Sequence, residues 1–391
     1  MKLMRLPLTL LLGAVLGPLG GCSSIVDMVS PPDVNPPAKL QDIAERVAVV
    51  SRWTHDTGIG SDDQYLNLAP AYSQGRLYAA DAGGKITVLD AGSGREVWSV
   101  DLSLQASGGP GVGEGLVLIG TRDAEVVALS ADNGKERWRV RVSSEVLAAP
   151  VAAAGRVIVR TIDGKVVGLD AADGRQQWQY EREIPVLTLH GTSAPVVSGN
   201  AVLCGLAGGK MVALNITSGD LLWEASVSVP TGRSELERLA DIDGDPLVFD
   251  GIVYAATYQG EIAALDEQTG SLLWRRKFSS YNGMGANRYN VFASDANGLV
   301  WALDADNGNA RWKQEALRNR QLSTVAVVGK VVAVGDYEGY VHFLSGEDGS
   351  LIGRTSVGGA PITRGMLAVD DQLYVQGNGG QLEALGVDDL R

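Results

Sequence analysis

Short apolar runs rich in Val, Ile, Leu and Ala recur along the chain, and glycine or polar residues interrupt each of them within a few positions. Residues 156–159 and 164–169 are one such pair, and the second run begins with Gly164 and has Gly168 next to its last residue. Runs of this length with β-branched residues and glycine-bounded ends are typical of β-strands joined by tight turns. The 50 glycines suit such turns, because glycine adopts positive φ without steric cost. The pattern predicts an all-β protein built from many short strands.

A repeated unit organises the chain after residue 45. Each copy has a leucine, a glycine five positions later and a tryptophan four positions after that. The best copies are Leu89–Trp98, Leu129–Trp138, Leu169–Trp178, Leu214–Trp223, Leu265–Trp274 and Leu303–Trp312. A seventh copy, from Leu344, has Gly353 in place of the tryptophan, and an eighth begins at Leu385. The copies recur about every 42 residues, which is typical of propeller blades. We therefore expect one domain, residues 45–391, folded as an eight-bladed β-propeller with four-stranded antiparallel blades.

The tryptophans are expected to pack, not to bind a ligand. A large ring on the outer strand of one blade can lie against the next blade and hold the two together. The eighth unit ends before its tryptophan, whereas Trp53 precedes the first complete unit. We therefore expect the strand around residues 47–54 to complete the last blade, so that the ring has no open edge. The expected docking residues are Trp53, Trp98, Trp138, Trp178, Trp223, Trp274 and Trp312.

The N-terminus has the pattern of an export signal. Lys2 and Arg5 precede an apolar run over residues 6–20, and small residues lead to Cys22. This order is typical of a secretory signal peptide, here residues 1–21. The Leu-Gly-Gly-Cys ending resembles the lipobox of bacterial lipoproteins, which implies that Cys22 is acylated and anchors the chain in a membrane. Two serines follow instead of the aspartate associated with inner-membrane retention, which favours the periplasmic face of the outer membrane.

Residues 22–44 contain four prolines and are expected to form an extended tether between the acylated cysteine and the propeller. Cys204 is the other cysteine of the chain and lies within an apolar run. A thiol in such a run is expected to be buried and unreactive, because reactivity requires exposure and a positive environment. No intramolecular disulfide is expected.

Charge and motifs exclude several function classes. The chain has 46 acidic and 33 basic residues and a formal net charge of −13, which disfavours nucleic acid as a partner. Residues 241–245 resemble a calcium loop, but the glycine comes too early and Ile252 stands where an acidic ligand would be needed. His55, His190 and His342 are scattered without metal-ligand spacing. We expect no metal, no cofactor and no enzymatic activity.

The repeat itself leaves one enzyme class open. It resembles the tryptophan-docking repeat of pyrroloquinoline quinone (PQQ) dehydrogenases, which implies a periplasmic quinoprotein as the alternative function. Those enzymes differ in having long insertions around a cofactor pocket and often adjacent cysteines, and this chain has neither. A third interpretation is a structural lipoprotein that binds peptidoglycan or another envelope protein.

Unequal spacing of the repeats points to an interaction surface. The extra residues fall after the third and fourth units, at 183–191 and 233–243, which places two long loops on the same face of neighbouring blades. Leu187 and Leu189 in the first loop and acidic residues in the second have the composition of apolar anchors with orienting charges. The alternative is that the two leucines begin a buried strand.

Taken together, the lipobox, the tether, the eight units and the sequences Leu187–Pro195 and Glu235–Asp243 resemble the BamB family of the outer-membrane β-barrel assembly (BAM) complex. The resemblance implies a non-enzymatic scaffold that binds the POTRA domains of BamA and assists insertion of outer-membrane β-barrels. It leaves open direct contact with unfolded client proteins. The residues that it assigns to the BamA contact are Leu187, Leu189, His190, Asp241 and Asp243. His190 stands where the family often has arginine, so its charge depends on pH near neutrality.

Overall fold

The computed structural model describes residues 35–389 except 63, 183–184, 186, 189–192, 231–233, 235 and 237–238. The expected signal peptide, Cys22, Leu189 and His190 lie outside the described residues. Residues 37–391 form one compact unit. Within the described part, the strands form eight antiparallel sheets of four strands each, and one of these sheets gains a short fifth strand. The predicted eight-bladed all-β propeller is confirmed. No helix in the described part is long and apolar enough to span a membrane.

The chain begins with β1 (Val47–Asp56) and the short β2 (Asn67–Leu68), which pairs in parallel with the second blade. The first four blades are then built in chain order. They comprise β3 (Ala71–Ser73), β4 (Arg76–Ala80), β5 (Lys85–Asp90) and β6 (Glu96–Asp101); β7 (Ala106–Gly113), β8 (Leu116–Thr121), β9 (Glu125–Ser130) and β10 (Glu136–Arg141); β11 (Val151–Ala153), β12 (Arg156–Arg160), β13 (Lys165–Asp170) and β14 (Gln176–Glu181); β15 (Val196–Ser198), β16 (Ala201–Leu206), β17 (Lys210–Asn215) and β18 (Leu221–Ser226).

The remaining blades follow the same order until the last, which takes its fourth strand from the N-terminus. They comprise β19 (Leu247–Phe249), β20 (Ile252–Ala256), β21 (Gly260–Asp266) and β22 (Leu272–Phe278); β23 (Gly285–Ala286), β24 (Asn290–Ser294), β25 (Val300–Asp304) and β26 (Ala310–Gln314); β27 (Ala326–Val328), β28 (Val331–Gly335), β29 (Tyr340–Ser345) and β30 (Leu351–Ser356); β31 (Met366–Val369), β32 (Gln372–Gln376), β33 (Gln381–Asp389) and β1.

The propeller has two distinct faces. In each blade the turn between the second and third strands shares one face with the connection from the outermost strand to the next blade, and we call this the loop face. The turns between the first and second strands, and between the third and fourth, lie on the opposite face, which we call the turn face. The eight hydrophobic clusters of the described residues each join side chains of two neighbouring blades. The core is therefore a series of interfaces between blades.

Each tryptophan of the repeat reaches from an outermost strand to the next blade. A register shift interrupts the pairing of the third and fourth strands at the residue before the tryptophan, as between Glu136 and Trp138. Such a bulge re-aims the following side chain. The indole N–H then donates to a backbone carbonyl in the turn of the next blade, at 2.7–3.1 Å. The pairs are Trp53–Ala91, Trp98–Ala131, Trp138–Ala171, Trp178–Ile216, Trp223–Glu267, Trp274–Ala305 and Trp312–Gly346.

The glycine of the repeated unit is required for two reasons, its positive φ and its close contact with an indole ring. Gly174, for example, has φ +74°, and a Cβ added there would lie 2.7 Å from the Cε3 atom of Trp138. Side chains rarely adopt this φ, and no side chain fits between the backbone and the ring. The same combination of positive φ and close indole contact recurs at Gly94, Gly134, Gly219, Gly270, Gly308 and Gly349.

The junction between the seventh and eighth blades has no indole. Gly353 of β30 pairs with Phe343 of β29, whereas the tryptophans of the first six units pair with Val, Ala or Gly. The large and small residues have exchanged places at this pair. The outermost strand of the eighth blade is β1, so no turn connects the third strand of that blade to its outermost strand. An indole from the seventh blade would therefore find no turn carbonyl to accept its hydrogen bond. Val47 packs against Gly353 instead.

The N-terminal strand closes the ring as expected. β1 pairs with β33 from Val47 opposite Asp389 to Asp56 opposite Gln381. Trp53 lies opposite Ala384, in the register of the other repeat tryptophans, and its indole docks on the first blade. The first and last strands of the propeller therefore share one sheet, and the predicted closure is confirmed.

We predict that Gly174→Ala destabilises the propeller more than Gly155→Ala. Gly155 lies in the same blade with φ +72° and has open space around the Cβ position, so its substitution should cost only about 1–2 kcal/mol of backbone strain. Gly174→Ala adds a clash with Trp138, worth about 1–3 kcal/mol more. Urea unfolding of both variants measures the difference. An equal loss of unfolding free energy in the two variants would show that the close contact with the indole adds nothing to the cost of the substitution.

Candidate functional site

Three long connections meet on the loop face. Residues 182–195 join the third blade to the fourth, and residues 227–246 join the fourth to the fifth, as the repeat spacing predicted. A further long connection, residues 57–70, leads from the closing strand to the first blade and contains β2. The repeat spacing missed this connection because it precedes the first complete unit.

Exposed apolar side chains lie on the two predicted connections. Leu187 is 41% exposed, Val229 is 56% exposed and Leu236 is 62% exposed. Leu187 is not in a strand, so the alternative that it begins a buried strand is wrong for this residue. Leu236 and Val229 were not singled out from the sequence, because an apolar residue in a polar loop has no periodic pattern that would show its exposure.

Asp241 and Asp243 are buried, each with only 4% of its surface exposed. The Asp241 carboxylate accepts the backbone N–H of Gly208 in the fourth blade, at 2.9 Å. The Asp241 carbonyl accepts the N–H of Tyr258 in the fifth blade, at 3.2 Å. Asp241 therefore joins the long connection to the loop-face turns of both blades that flank it.

Asp245 ties the two predicted connections together. Its carboxylate accepts a hydrogen bond from the backbone N–H of Ala194 at 2.6 Å, which links the second connection to the first. Burial raises the pKa of Asp245. Next to Ala194, both the carbonyl and the hydroxyl of Ser193 accept hydrogen bonds from Nη1 of the buried Arg160, at 2.8 and 2.9 Å. Burial lowers the pKa of Arg160. The C-terminal ends of both loops are therefore held by charged groups, the partly buried Asp245 and the buried Arg160.

Arg364 reaches this cluster from the connection between the seventh and eighth blades. Its Nη2 donates to the carbonyls of Asp243 at 3.3 Å and Tyr281 at 3.5 Å. Its guanidinium also lies 6.0 Å from the ring centre of Tyr65, in the third long connection. One buried arginine thus joins connections from distant blades at the centre of the loop face. The sequence contains no local signal for this role, since the partners of Arg364 are far away along the chain.

Asp243 carries an uncompensated cost in the cluster, as does Arg160, whose Nε atom also has no hydrogen-bond partner in the described part of the chain. The Oδ1 atom of Asp243 is buried and has no hydrogen-bond partner among the described residues. Burial, followed by the nearby charge of Asp241, raises the pKa of Asp243 to about 6, although Arg364 and Arg160 act in the opposite direction. The resemblance assigns Asp241 and Asp243 to partner contact, but in this structure both side chains are buried. The Asp241 carboxylate and the Asp243 backbone carbonyl position the loop, through Gly208 and Arg364 respectively.

Among the described residues, the other candidate groups Cys204, His342 and His55 lie in three different blades. Cys204 is buried, and burial raises the pKa of its thiol to about 11. His342 is fully buried beside Asp336, whereas His55 approaches Glu96 on the outer strand of the first blade. In the described part of the chain, no group of three or more His, Cys, Asp or Glu residues is arranged to hold a metal ion.

The sequence and the fold both have known relatives. A family model described as outer membrane protein assembly factor BamB matches residues 50–107, 82–314 and 305–391. The outer membrane protein assembly factor BamB of Pseudomonas aeruginosa is 49% identical over 349 residues, covering 89% of this chain and 92% of that protein. The protein of the same name from Escherichia coli is 32% identical, covering 98% of this chain and all of that one.

This chain belongs to the BamB family. The crystal structure of BamB from Moraxella catarrhalis matches with a TM-score of 0.79 and 29% identity, covering 87% of this chain and all of that one. The quinohemoprotein alcohol dehydrogenase of Comamonas testosteroni matches with a TM-score of 0.66 but only 13% identity, covering 86% of this chain and 76% of that one. The second likeness shows a shared fold alone. The predicted resemblance to the BamB family is confirmed.

We predict that Asp243→Asn stabilises the propeller at pH 7.5 by up to about 3 kcal/mol. The folded-state pKa of Asp243, about 6, lies above the ordinary value of 3.8, so the folded protein binds the proton more tightly than the unfolded chain. The cost of Asp243 is therefore present above pH 6 and disappears as the pH falls towards 4. The advantage of the variant should shrink over this interval.

Urea unfolding at a series of pH values measures the effect. Asp371→Asn, at an exposed carboxylate on the turn face, controls for the removal of one negative charge. A gain in unfolding free energy of the Asp243 variant that does not change between pH 7.5 and pH 4 would contradict a raised pKa of Asp243 in the folded protein.

Proposed function

We propose that this chain is a non-enzymatic scaffold of the BAM complex, which binds the POTRA domains of BamA through its loop face and assists insertion of outer-membrane β-barrels. Its membership of a family whose curated relatives are named outer membrane protein assembly factors supports a role in that process. The observation that carries the finer proposal is the loop face itself, where exposed apolar side chains stand on connections held by a buried charged centre.

The chemistry of this surface suits a protein partner. Leu187, Val229 and Leu236 are exposed, and removing such apolar side chains from water at the centre of an interface favours binding. Asp245 joins the C-terminal ends of the two connections and Arg364 braces the second from across the ring, so both connections are preorganised where they return to the propeller. Preorganisation reduces the entropy that binding must overcome. Asp241 and Asp243 support the contact by holding the connection in place.

The alternative, a PQQ-dependent quinoprotein, gains less support. Its relatives share only the propeller fold with this chain at 13% identity, whereas the BamB relatives match nearly the whole chain. A second role, presenting strand edges to unfolded clients, is favoured by one observation. The outermost strands of the fourth and fifth blades expose neighbouring leucine pairs, namely Leu221, Leu222, Leu272 and Leu273. An extended client segment can add to such an edge.

We predict that Leu236→Glu and Leu187→Glu each weaken binding to BamA by about tenfold or more, because a buried apolar anchor would be replaced by a charge. Co-purification from envelope extracts and titration with purified BamA measure the change. Val97→Glu is the matched control, because Val97 is comparably exposed but lies on the outermost strand of the first blade, away from the loop face. Wild-type affinity in both loop variants would exclude this face as the contact.

We predict that Cys22→Ser releases the protein from the membrane fraction into the soluble fraction. The change removes the thiol that the proposed acylation needs. A signal peptide that stays on the chain is not as durable an anchor as several acyl chains. Fractionation of cells followed by detection of the protein measures the distribution, and circular dichroism of the released protein checks its fold. Retention of the variant in the outer-membrane fraction would exclude Cys22 as the anchor.

A further inference from the structure

The chain before the first strand crosses the seventh blade from one face to the other. On the loop face, the backbone N–H of Ala38 donates to the carbonyl of Arg318 at 2.9 Å. On the turn face, the N–H of Arg46 donates to the carbonyl of Ile352 at 2.8 Å. The segment 38–46 therefore runs along outermost strand β30 before the chain reverses into β1. It has no regular secondary structure, so contacts with the propeller must fix its path.

Arg320 holds the loop-face end of this segment. Its side chain is almost fully buried, and its Nη1 donates to the carbonyl of Ala38 at 2.9 Å. Its Nε donates to Asp336 at 2.8 Å, and its Nη2 also contacts Glu338. The two carboxylates fix the guanidinium plane, which leaves Nη1 pointing at the segment. A planar donor group fixed in this way gives directional hydrogen bonds.

Arg354 holds the segment farther along. Its Nη2 donates to the carbonyl of Gln41 at 3.2 Å, and its Nε donates to Nδ1 of His342 at 3.1 Å. Because an arginine nitrogen only donates, Nδ1 of His342 must accept, and its Nε2–H therefore donates to Asp336 at 2.8 Å. Arg354, His342, Asp336 and Arg320 thus form one continuous network that ends on two carbonyls of one segment.

This network is specific to the seventh blade. His342 occupies a fully buried position in the third strand of its blade. The equivalent positions in the first five blades hold Thr87, Val127, Val167, Val212 and Ala263. The sixth blade has Trp301 there, whose indole donates to Asp295, and the eighth has the buried Glu383, so neither repeats the arginine–histidine–aspartate network. Buried charged groups cost free energy unless their hydrogen bonds are made, and blades with Val or Ala at this position pack without them. The charged groups of the seventh blade are therefore not needed to build a blade.

We propose that Arg320 and Arg354 form a clamp for the chain's own N-terminal segment, which holds residues 38–46 against the seventh blade and directs the chain out of the propeller on the loop face. The ligand of this site is an extended peptide recognised by its backbone carbonyls. If the lipid anchor proposed at Cys22 is correct, the clamp also determines that the membrane tether starts from the face that carries the long connections. The clamp itself does not depend on the anchor or on BamA.

Trypsin measures the clamp directly. Lys39 is exposed and lies between the two clamped carbonyls, and it is the first lysine or arginine after Arg5. Cleavage there requires the segment to leave the blade, so its rate follows the population of the open form. We expect the full chain, extracted in detergent, to be cut slowly at Lys39. Arg354→Gln should accelerate the appearance of the product that begins at Leu40 by about tenfold, the effect of losing one charged hydrogen bond.

The controls separate the clamp from general stability. Arg320→Gln should accelerate the same cleavage, and because this change leaves Asp336 without its arginine, the thermal midpoint is measured alongside. Arg311→Gln, at an exposed arginine of the sixth blade that pairs with Asp304, should be cut at the wild-type rate. Wild-type cleavage of the Arg354 and Arg320 variants, with their thermal midpoints retained, would overturn the proposal.

Spin-label distances test the direction in which the chain leaves. In the Cys22→Ser background, one nitroxide is placed at Lys39→Cys and the second either at Asn297→Cys on the loop face or at Asp306→Cys on the turn face of the sixth blade. Cys204 is buried and does not compete for the label. We expect a narrow and shorter distance to residue 297, which broadens when Arg354→Gln is added. A shorter distance to residue 306, or broad distributions in the wild-type background, would overturn the proposed path.

Discussion

The contact of one indole with one glycine determines how the blades join at seven of the eight junctions; the junction between the seventh and eighth blades has Val47 against Gly353 instead. The indole N–H needs a carbonyl, and the ring needs a flat surface; a turn with glycine at positive φ supplies both. The tryptophan lies on the outermost strand of one blade, and the glycine lies in the turn before the outermost strand of the neighbouring blade. Each contact therefore sets the distance between the two blades at the rim of the propeller. The apolar clusters between the inner strands then fill the space that this spacing leaves. The regular ring follows from repeating one local contact, as in other repeat folds.

Most of this fold could be predicted from sequence because its determinants are local and periodic. The distance from leucine to glycine to tryptophan fits within one hairpin, so it is visible without knowledge of tertiary contacts. Trp53 could be placed in the last blade because the eighth unit lacked its own tryptophan. The exchange of the large and small residues at Gly353 and Phe343 was harder to predict from the sequence. It becomes explicable only when the neighbouring blade is seen to lack the turn that an indole would need.

The candidate site was predictable in location but not in geometry. Spacing between units located two long connections, and an exposed Leu187 agrees with the proposed role of the first. The environment of Asp243 could not be derived, because its buried carboxyl group lies near Arg160 and Arg364, which other parts of the ring supply. Sequence pattern reports which loop a carboxylate lies on. Whether it faces solvent depends on groups that the fold brings from elsewhere.

The pairing of β1 with β33 also constrains the order in which this protein can fold. The strand that is synthesised first finds its partner at the opposite end of the chain, from Val47 beside Asp389 to Asp56 beside Gln381. The first seven blades can form from neighbouring hairpins while the rest of the chain is still emerging. The eighth cannot, and contacts of such large sequence separation are slow to form. Until the last strand arrives, β1 is an unpaired edge that must be kept from other partners, so the final step of folding converts a string of blades into a closed ring.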